Sequence, residues 1–232
     1  MDPLMIGALA GFAAARSTNF IDEALKPLAT AAGESLLETF RGKNLQVVTE
    51  GTKVMLDDAG IVAAVDVPGR VIFPILSYAS LEEDPGIQRL WSALLANGLT
   101  PGAGDKQLPG FSDILRQLTP AHAHILQWMF DDVRDVELGF PSWPDFKRKD
   151  IEEHFGLSHT DYALLLSDMD RLQIVEGRRQ VNIPEDFRVD TQVFKHLAAQ
   201  INSRVKYELV SLTTLGVHFM IACTAPKAKG TK

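Results

Sequence analysis

The stretch Val67–Gly98, VPGRVIFPILSYASLEEDPGIQRLWSALLANG, decides how the rest of the chain is read. Its second half carries the marks of a buried amphipathic helix. Ser80 with Glu83 three residues on makes a capping-box pattern. Asp84 before Pro85 makes an alternative start, because a proline in the first turn gives up no needed N–H. From either start, Ile87, Leu90, Trp91, Leu94 and Leu95 recur at the three-four spacing of one helical face. Asn97-Gly98 is expected to end the helix, since both residues tolerate the left-handed conformation. In the first half, Pro68 and Pro74 are expected to break the chain before a short Ile75–Ala79 segment.

The segments on either side look built to cover this helix. Before it, a helix is predicted from Thr18 to Phe40, capped by Thr18 or Asn19, kinked or divided at Pro27 and closed by Gly42, with Leu25, Leu28, Ala32, Leu36, Leu37 and Phe40 as its apolar face. Asn44–Leu56 repeats the pattern through Leu45, Val48, Thr52 and Met55, weakened by Gly51 in its middle. Gly60–Val67 fits a helix or a strand. After it, Thr100–Pro109, TPGAGDKQLP, reads as a linker. The expected organisation is therefore an N-terminal helical region over 1–99, a linker over 100–110, a second region over 111–225 and a disordered tail over 226–232 with three lysines.

The second region has a different grammar. Phe111, Ile114, Leu115 and Leu118 form a short amphipathic turn. A helix follows from Pro120, capped by Thr119, with His124, Ile125, Trp128 and Met129 inward, and a loop covers Asp135–Trp143. Phe146–Phe155 reads as a helix ended by Gly156. Ser158 caps another over Thr160–Leu172, with Tyr162, Leu165, Leu166, Met169 and Leu172 inward. Leu172–Val175 and Tyr207–Ser211 read as two pairing strands, and Leu215–Cys223 as a last helix. The fold class is thus mainly α, an N-terminal helical region followed by a winged-helix-like region with a small two-stranded β-ribbon. Between the strands, Asp190–Val205 reads as a helix through Val193, Phe194, Leu197 and Ile201, which an ordinary DNA-reading wing does not contain.

Composition narrows the function. The 232 residues, 46% hydrophobic and 23% charged, are those of a folded protein with one sizeable core or two smaller ones. The net charge of −7 works against nucleic-acid binding, and residues 1–99 carry most of it, with 7 basic against 12 acidic side chains. Cys223, the single cysteine, precludes an internal disulfide and fits a reducing cytoplasm, the expected compartment. Nothing resembles a secretory signal. The uncharged run Pro3–Ala15 is too short to span a bilayer; it is expected to pack on protein, with a peripheral membrane contact through Leu4, Ile6, Leu9 and Phe12 as the alternative.

Candidate sites mostly resolve into structural roles. A DNA-reading helix at Thr160–Leu172 should show basic residues, but it shows Asp161, Asp168 and Asp170 against Arg171 alone. Lys147-Arg148-Lys149 and Arg178-Arg179 are the local basic clusters and read as solvated surface. His122 and His124, two apart, point to different helix faces; His154 and His159 flank a turn, but no further ligand completes a metal site. Cys223 on an apolar helix near Phe219 and Met220 reads as an inert buried thiol. Glu82, Glu83 and Asp84 are explained by a helix N-terminus, and the GAG at Gly102–Gly104 lacks the context of a phosphate loop. No catalytic, cofactor-binding or metal-binding residue is named, and a non-enzymatic protein is expected.

Four segments taken together resemble the abortive infection alpha family of bacterial phage-defence proteins. They are EALKP at Glu23–Pro27, VPGRVIFPIL with SLEEDPGIQRLWSALLANGL, PGFSDILRQLTPAHAHIL at Pro109–Leu126, and LTTLGVHFMIAC at Leu212–Cys223, spanning about residues 20–223. The resemblance implies a part in abortive infection or another anti-phage response, and brings no catalytic motif. The expected function is a cytoplasmic defence protein that binds another protein of phage or host, with Trp91, Trp128 and Phe219 in its core and homo-oligomerisation left open. The alternatives are a winged-helix transcription regulator and a membrane-acting effector that uses the N-terminal apolar run.

Overall fold

The computed structural model describes residues 42–61, 69–100, 108–134, 143–178 and 208–227. The helix expected over Thr18–Phe40, the Leu4–Phe12 run, most of Gly60–Val67, Gly102–Gly104, Arg179, the Asp190–Val205 helix and residues 228–232 lie outside them. The described residues are mainly helical. Eight helices, α1 (Lys43–Asp58), α2 (Gly69–Ala79), α3 (Pro85–Leu99), α4 (Leu108–Leu115), α5 (Pro120–Val133), α6 (Arg148–Phe155), α7 (His159–Arg171) and α8 (Thr214–Ala222), accompany three short strands, β1 (Phe146–Lys147), β2 (Val175–Arg178) and β3 (Leu209–Leu212). They fall into two compact units. One takes the described residues up to Pro120 and those from Ile221 on; the other takes Ala121–Met220. The division therefore falls after α4, beyond the 100–110 segment.

In the first unit α3 is the central element, packed against α1, α2 and α4. Of the two caps considered, Asp84 is the one used: its Oδ1 accepts the Ile87 N–H at 2.9 Å, whereas the Ser80 hydroxyl donates back to the Ser77 carbonyl at the end of α2. Ile87, Leu90, Trp91, Leu94 and Leu95 are all buried, as their spacing requires. The expected stop at Asn97-Gly98 does not occur, and α3 runs on to Leu99. The Asn97 amide instead donates to the carbonyls of Ala222 (2.9 Å) and Thr224 (2.7 Å), and Thr100 closes the helix with its hydroxyl on the Ala96 carbonyl.

Neither Gly51, which weakened the pattern of α1, nor Pro74, expected to break the chain, interrupts its helix. Gly51 lies within α1, facing α3 so closely that a Cβ there would stand 2.7 Å from Ser92 Oγ. The Ser92 hydroxyl donates across to the Val48 carbonyl at 3.0 Å, and the Thr52 hydroxyl lies 3.1 Å from the Ser92 carbonyl. Hydroxyls within hydrogen-bond reach of helical carbonyls let two backbones approach without burying an unmet polar group. Leu56, not Met55, completes the buried face of α1. Pro74 does not break the chain either: it lies inside α2, where it removes one amide from the helical ladder while Val71, Ile72, Ile75, Leu76 and Ala79 bury the apolar face.

The second unit holds the sheet. Its order is β1-β3-β2, antiparallel throughout, with Phe146 opposite Val210 and Val175 opposite Leu212. The expected two-stranded ribbon thus gains a third strand, because Phe146-Lys147 pairs with β3 instead of opening α6. The strand expected at Leu172–Val175 starts only at Val175. Gln173 at φ 60° closes α7, with the Ile174 N–H returning to the Met169 carbonyl and the Gln173 N–H to Asp170. On α5 the inward face is His122, Ala123, Ile125, Leu126, Met129, Phe130 and Val133; His124 is exposed, correcting its expected placement. Trp91 and Phe219 are core residues, while Trp128 is only half-buried, stacked among Phe146, His154 and Phe155.

The phrase LTTLG now has a physical account. Leu212 ends β3 in the core, and the Thr213 hydroxyl accepts the Gly216 N–H (2.9 Å) while donating to the Gln173 carbonyl (2.6 Å). Gly216 seats on the Ile174 backbone, where any Cβ would overlap the Ile174 carbonyl oxygen. Gly216→Ala should therefore lower unfolding stability by more than about 1 kcal/mol. Gly110→Ala, at an exposed helical position whose Cβ would meet nothing, should raise it by about 0.5–1 kcal/mol. Trp91→Ala should cost about 3–5 kcal/mol. Urea denaturation measures all three, and equal stability of the two glycine variants would refute the seating of α8.

Candidate interaction surface

Exposed apolar side chains lie on α1 (Val47, Val54), at Leu81 before α3, on α8 (Leu215, Ile221) and on the outer strip of α7 (Leu164), and that last strip is built from the turn before it. Gly156, in the left-handed conformation, ends α6; the Ser158 hydroxyl accepts the Asp161 N–H and donates to its carboxylate at 2.6 Å, so α7 starts at His159. Tyr162, Leu166 and Met169 are buried at the four-then-three spacing of one helical stripe. The opposite stripe is left to solvent: Thr160, Asp161, Leu164, Ser167, Asp168 and Arg171 are all exposed, with Leu164 at 63%. Asp168 and Arg171 approach to 3.7 Å, both more than half exposed, so their pairing is weak. Leu164 is thus an exposed apolar side chain with a carboxylate one turn before it and another one turn after.

A charged network fixes the entry of this helix. Arg148, the first residue of α6, donates through Nη1 to both Glu152 oxygens (2.8 and 3.0 Å) and through Nε to Glu208 (3.2 Å). Its N–H donates to the Glu208 carbonyl. His159 Nδ1 lies 3.1 Å from Glu152, closing the link between α6 and the start of α7. The Arg148 and Glu152 side chains are only 20% and 16% exposed. Burial alone would raise the Glu152 pKa, but the hydrogen bonds and charges of Arg148 and His159 outweigh it and hold the carboxyl below its ordinary range. Of the basic run Lys147-Arg148-Lys149, then, the arginine is committed to holding the fold, and the flanking lysines are exposed.

The other residues singled out in the sequence separate from one another. His154 stacks with Trp128 (5.1 Å) and Phe155 (4.6 Å), while His159 binds Glu152, so the two histidines serve different clusters. His122 is buried and His124 exposed, on different faces of α5. Among the described residues no group of three or more histidines, cysteines or carboxylates is placed to hold a metal ion. Burial pushes the Cys223 thiol far up, leaving it a neutral core side chain. Glu82 caps the loop before α3, its Oε1 accepting the N–H groups of Glu83 and Asp84. Leu164 was missed in the sequence, although the inward set Tyr162, Leu166 and Met169 already leaves it on the far side.

The family model for abortive infection alpha matches residues 43–223, from the start of α1 to just past α8, and so takes in every described helix and strand. The chain belongs to the abortive infection alpha family. Membership points to abortive-infection defence; Glu23–Pro27, which contributed to the resemblance, lies before the matched span. No curated protein and no solved structure gives a match. No described helix is long and apolar enough to cross a membrane.

The network yields a prediction that distinguishes structure from surface. Arg148→Ala should cost about 1–3 kcal/mol, since it leaves the mostly buried Glu152 without its main partner. Lys147→Ala and Lys149→Ala should each stay within about 0.5 kcal/mol of the wild type. Equal urea midpoints for all three would show that Arg148 is as dispensable as the lysines.

Proposed function

We propose that this chain is an abortive-infection protein that works by binding another protein through the outer strip of α7, without chemistry of its own. The observation that carries the reading is Leu164, exposed at the centre of that strip while the helix beneath it is held by a full buried stripe and a charged network at its entry. A rigid helix presenting an apolar anchor within a polar rim is the usual composition of a protein contact. The element order α5-β1-α6-α7-β2-β3 with strand order β1-β3-β2 supports a winged-helix reading of the second unit, in which α7 holds the recognition position. Its charge argues for protein over DNA: Asp161 and Asp168 flank Leu164, and Asp170 adds a third carboxylate, where a DNA-reading helix needs cations.

Phage challenge of bacteria expressing the full chain tests this. The wild type should protect cultures at a low phage-to-cell ratio and let them collapse at a high one. Leu164→Asp should abolish protection while leaving the melting temperature unchanged, because the side chain is 63% exposed. Full protection by Leu164→Asp would overturn the assignment of the surface. Absence of protection by the wild type against a broad phage panel would overturn the function for this chain acting alone.

A further inference from the structure

We propose that the outward face of α1 is a self-association surface, on which a second copy of this chain seats its own α1 antiparallel. Val47 and Val54 are 46% and 56% exposed, although the inner face of the same helix is buried through Leu45, Val48, Thr52 and Leu56. Seven residues are close to two turns, so the two valines fall on one stripe about 10 Å apart. An apolar pair at that spacing, left outside the core, matches the seam by which one helix takes another. The surface belongs to the first unit and does not depend on the reading of Leu164, which lies in the second.

Charge identifies the occupant. α1 opens on Lys43 and closes on Asp57-Asp58, with no acidic residue in its first turn and no basic residue in its last; all three side chains are exposed. Each end therefore carries the charge that its own helix dipole disfavours, a cation at the positive N-terminus and two carboxylates at the negative C-terminus. Gly42 at the N-cap adds no side-chain hydrogen bond to the open N–H groups there. A second α1 running the other way reverses all of this. It brings its carboxylates to Lys43 and the open N-terminus, and its own Lys43 to Asp57-Asp58.

The spacing makes the face complementary to itself. Lys43 stands four residues before Val47, and Asp58 four residues after Val54. Laid antiparallel about the midpoint between Glu50 and Gly51, Val47 of one copy meets Val54 of the other while Lys43 meets Asp58, and the two-fold axis repeats both contacts. A foreign partner would have to reproduce this pattern; a second copy supplies it by symmetry. One residue opposes the pairing: the exposed Glu50, which the axis sets across from its own twin. The Asn44 amide, 3.5 Å from the Ser80 carbonyl, brings Leu81, 74% exposed, to the start of α1, where it widens the apolar contact. α1 has 16 residues, a length of about 24 Å, and one pair of such helices falls short of the roughly 1,200 Å² of a stable interface. The dimer is therefore weak and forms at high local concentration.

Sedimentation velocity of the purified full chain, from micromolar to near-millimolar concentration at low salt, tests this. The wild type should move from monomer toward dimer as concentration rises. Val54→Asp should raise the dissociation constant by at least about tenfold with an unchanged melting temperature, and Glu50→Gln should lower it. Lys43→Glu, and separately Asp57→Lys with Asp58→Lys, should each weaken dimerisation, because each sets like charges together on both sides of the axis. Mixing those two variants should restore the dimer, since every contact between them is again opposite in sign; damage to the fold is not repaired by mixing. A monomer at every concentration would overturn the proposal and leave the face to another occupant, such as the residues before Gly42. A dimer that survives Val54→Asp, or charge variants that associate alone as well as they do mixed, would overturn the assignment of this face.

Discussion

The carbonyl of Ile174 is the point on which the second unit depends. It accepts the Thr213 N–H, and Gly216 lies against it with no space for a side chain. One residue earlier, the Gln173 carbonyl takes the Thr213 hydroxyl, and Gln173 itself holds the left-handed turn that ends α7. The end of α7, the start of β2 and the start of α8 thus meet at two consecutive peptide groups. A left-handed residue with a side chain costs about 1–2 kcal/mol relative to ordinary backbone. It is retained here because the surrounding hydrogen bonds and the close approach of Gly216 leave the turn no alternative path.

This arrangement explains what the sequence could and could not reveal. The helices of the first unit were legible because each buries one stripe: Leu45, Val48 and Thr52 of α1, and Ile87, Leu90, Trp91, Leu94 and Leu95 of α3, repeat at helical spacing. Asp84 was legible as a cap because capping is local. Pro74, expected to break the chain, misled, and Gly51 weakened an α1 pattern that nonetheless holds, because the reason for a glycine there lies in what it faces. Gly51 is small because Ser92 lies against it, and nothing near Gly51 in sequence announces that. The strand β1 was hidden in the same way. Two residues cannot display an alternation, and Phe146-Lys147 becomes a strand only because β3, more than 60 residues later, is there to pair with it.

The surface was the least legible part. A run such as Lys147-Arg148-Lys149 looks uniform in sequence, yet Arg148 spans to Glu208, 60 residues away, and to Glu152 within its own helix. The planar fork of arginine can bind two carboxylates at once, a geometry lysine does not offer, and that difference separates the buried member from its exposed neighbours.

What remains exposed on α7 follows from how firmly its other side is held. Tyr162, Leu166 and Met169 are fully buried, and removal of a side chain from such positions costs several kcal/mol, a large share of the stability of a domain this size. Positions on the outer strip make no such contribution; substitutions there change stability by about 0.5 kcal/mol or less. The exposed side chains of Leu164, Ser167 and Asp168 therefore add little to stability, while the inner stripe, the Ser158 cap with Asp161 and the Arg148–Glu152 pair keep the helix in place. The buried stripe and the exposed strip thus lie on opposite sides of one helix.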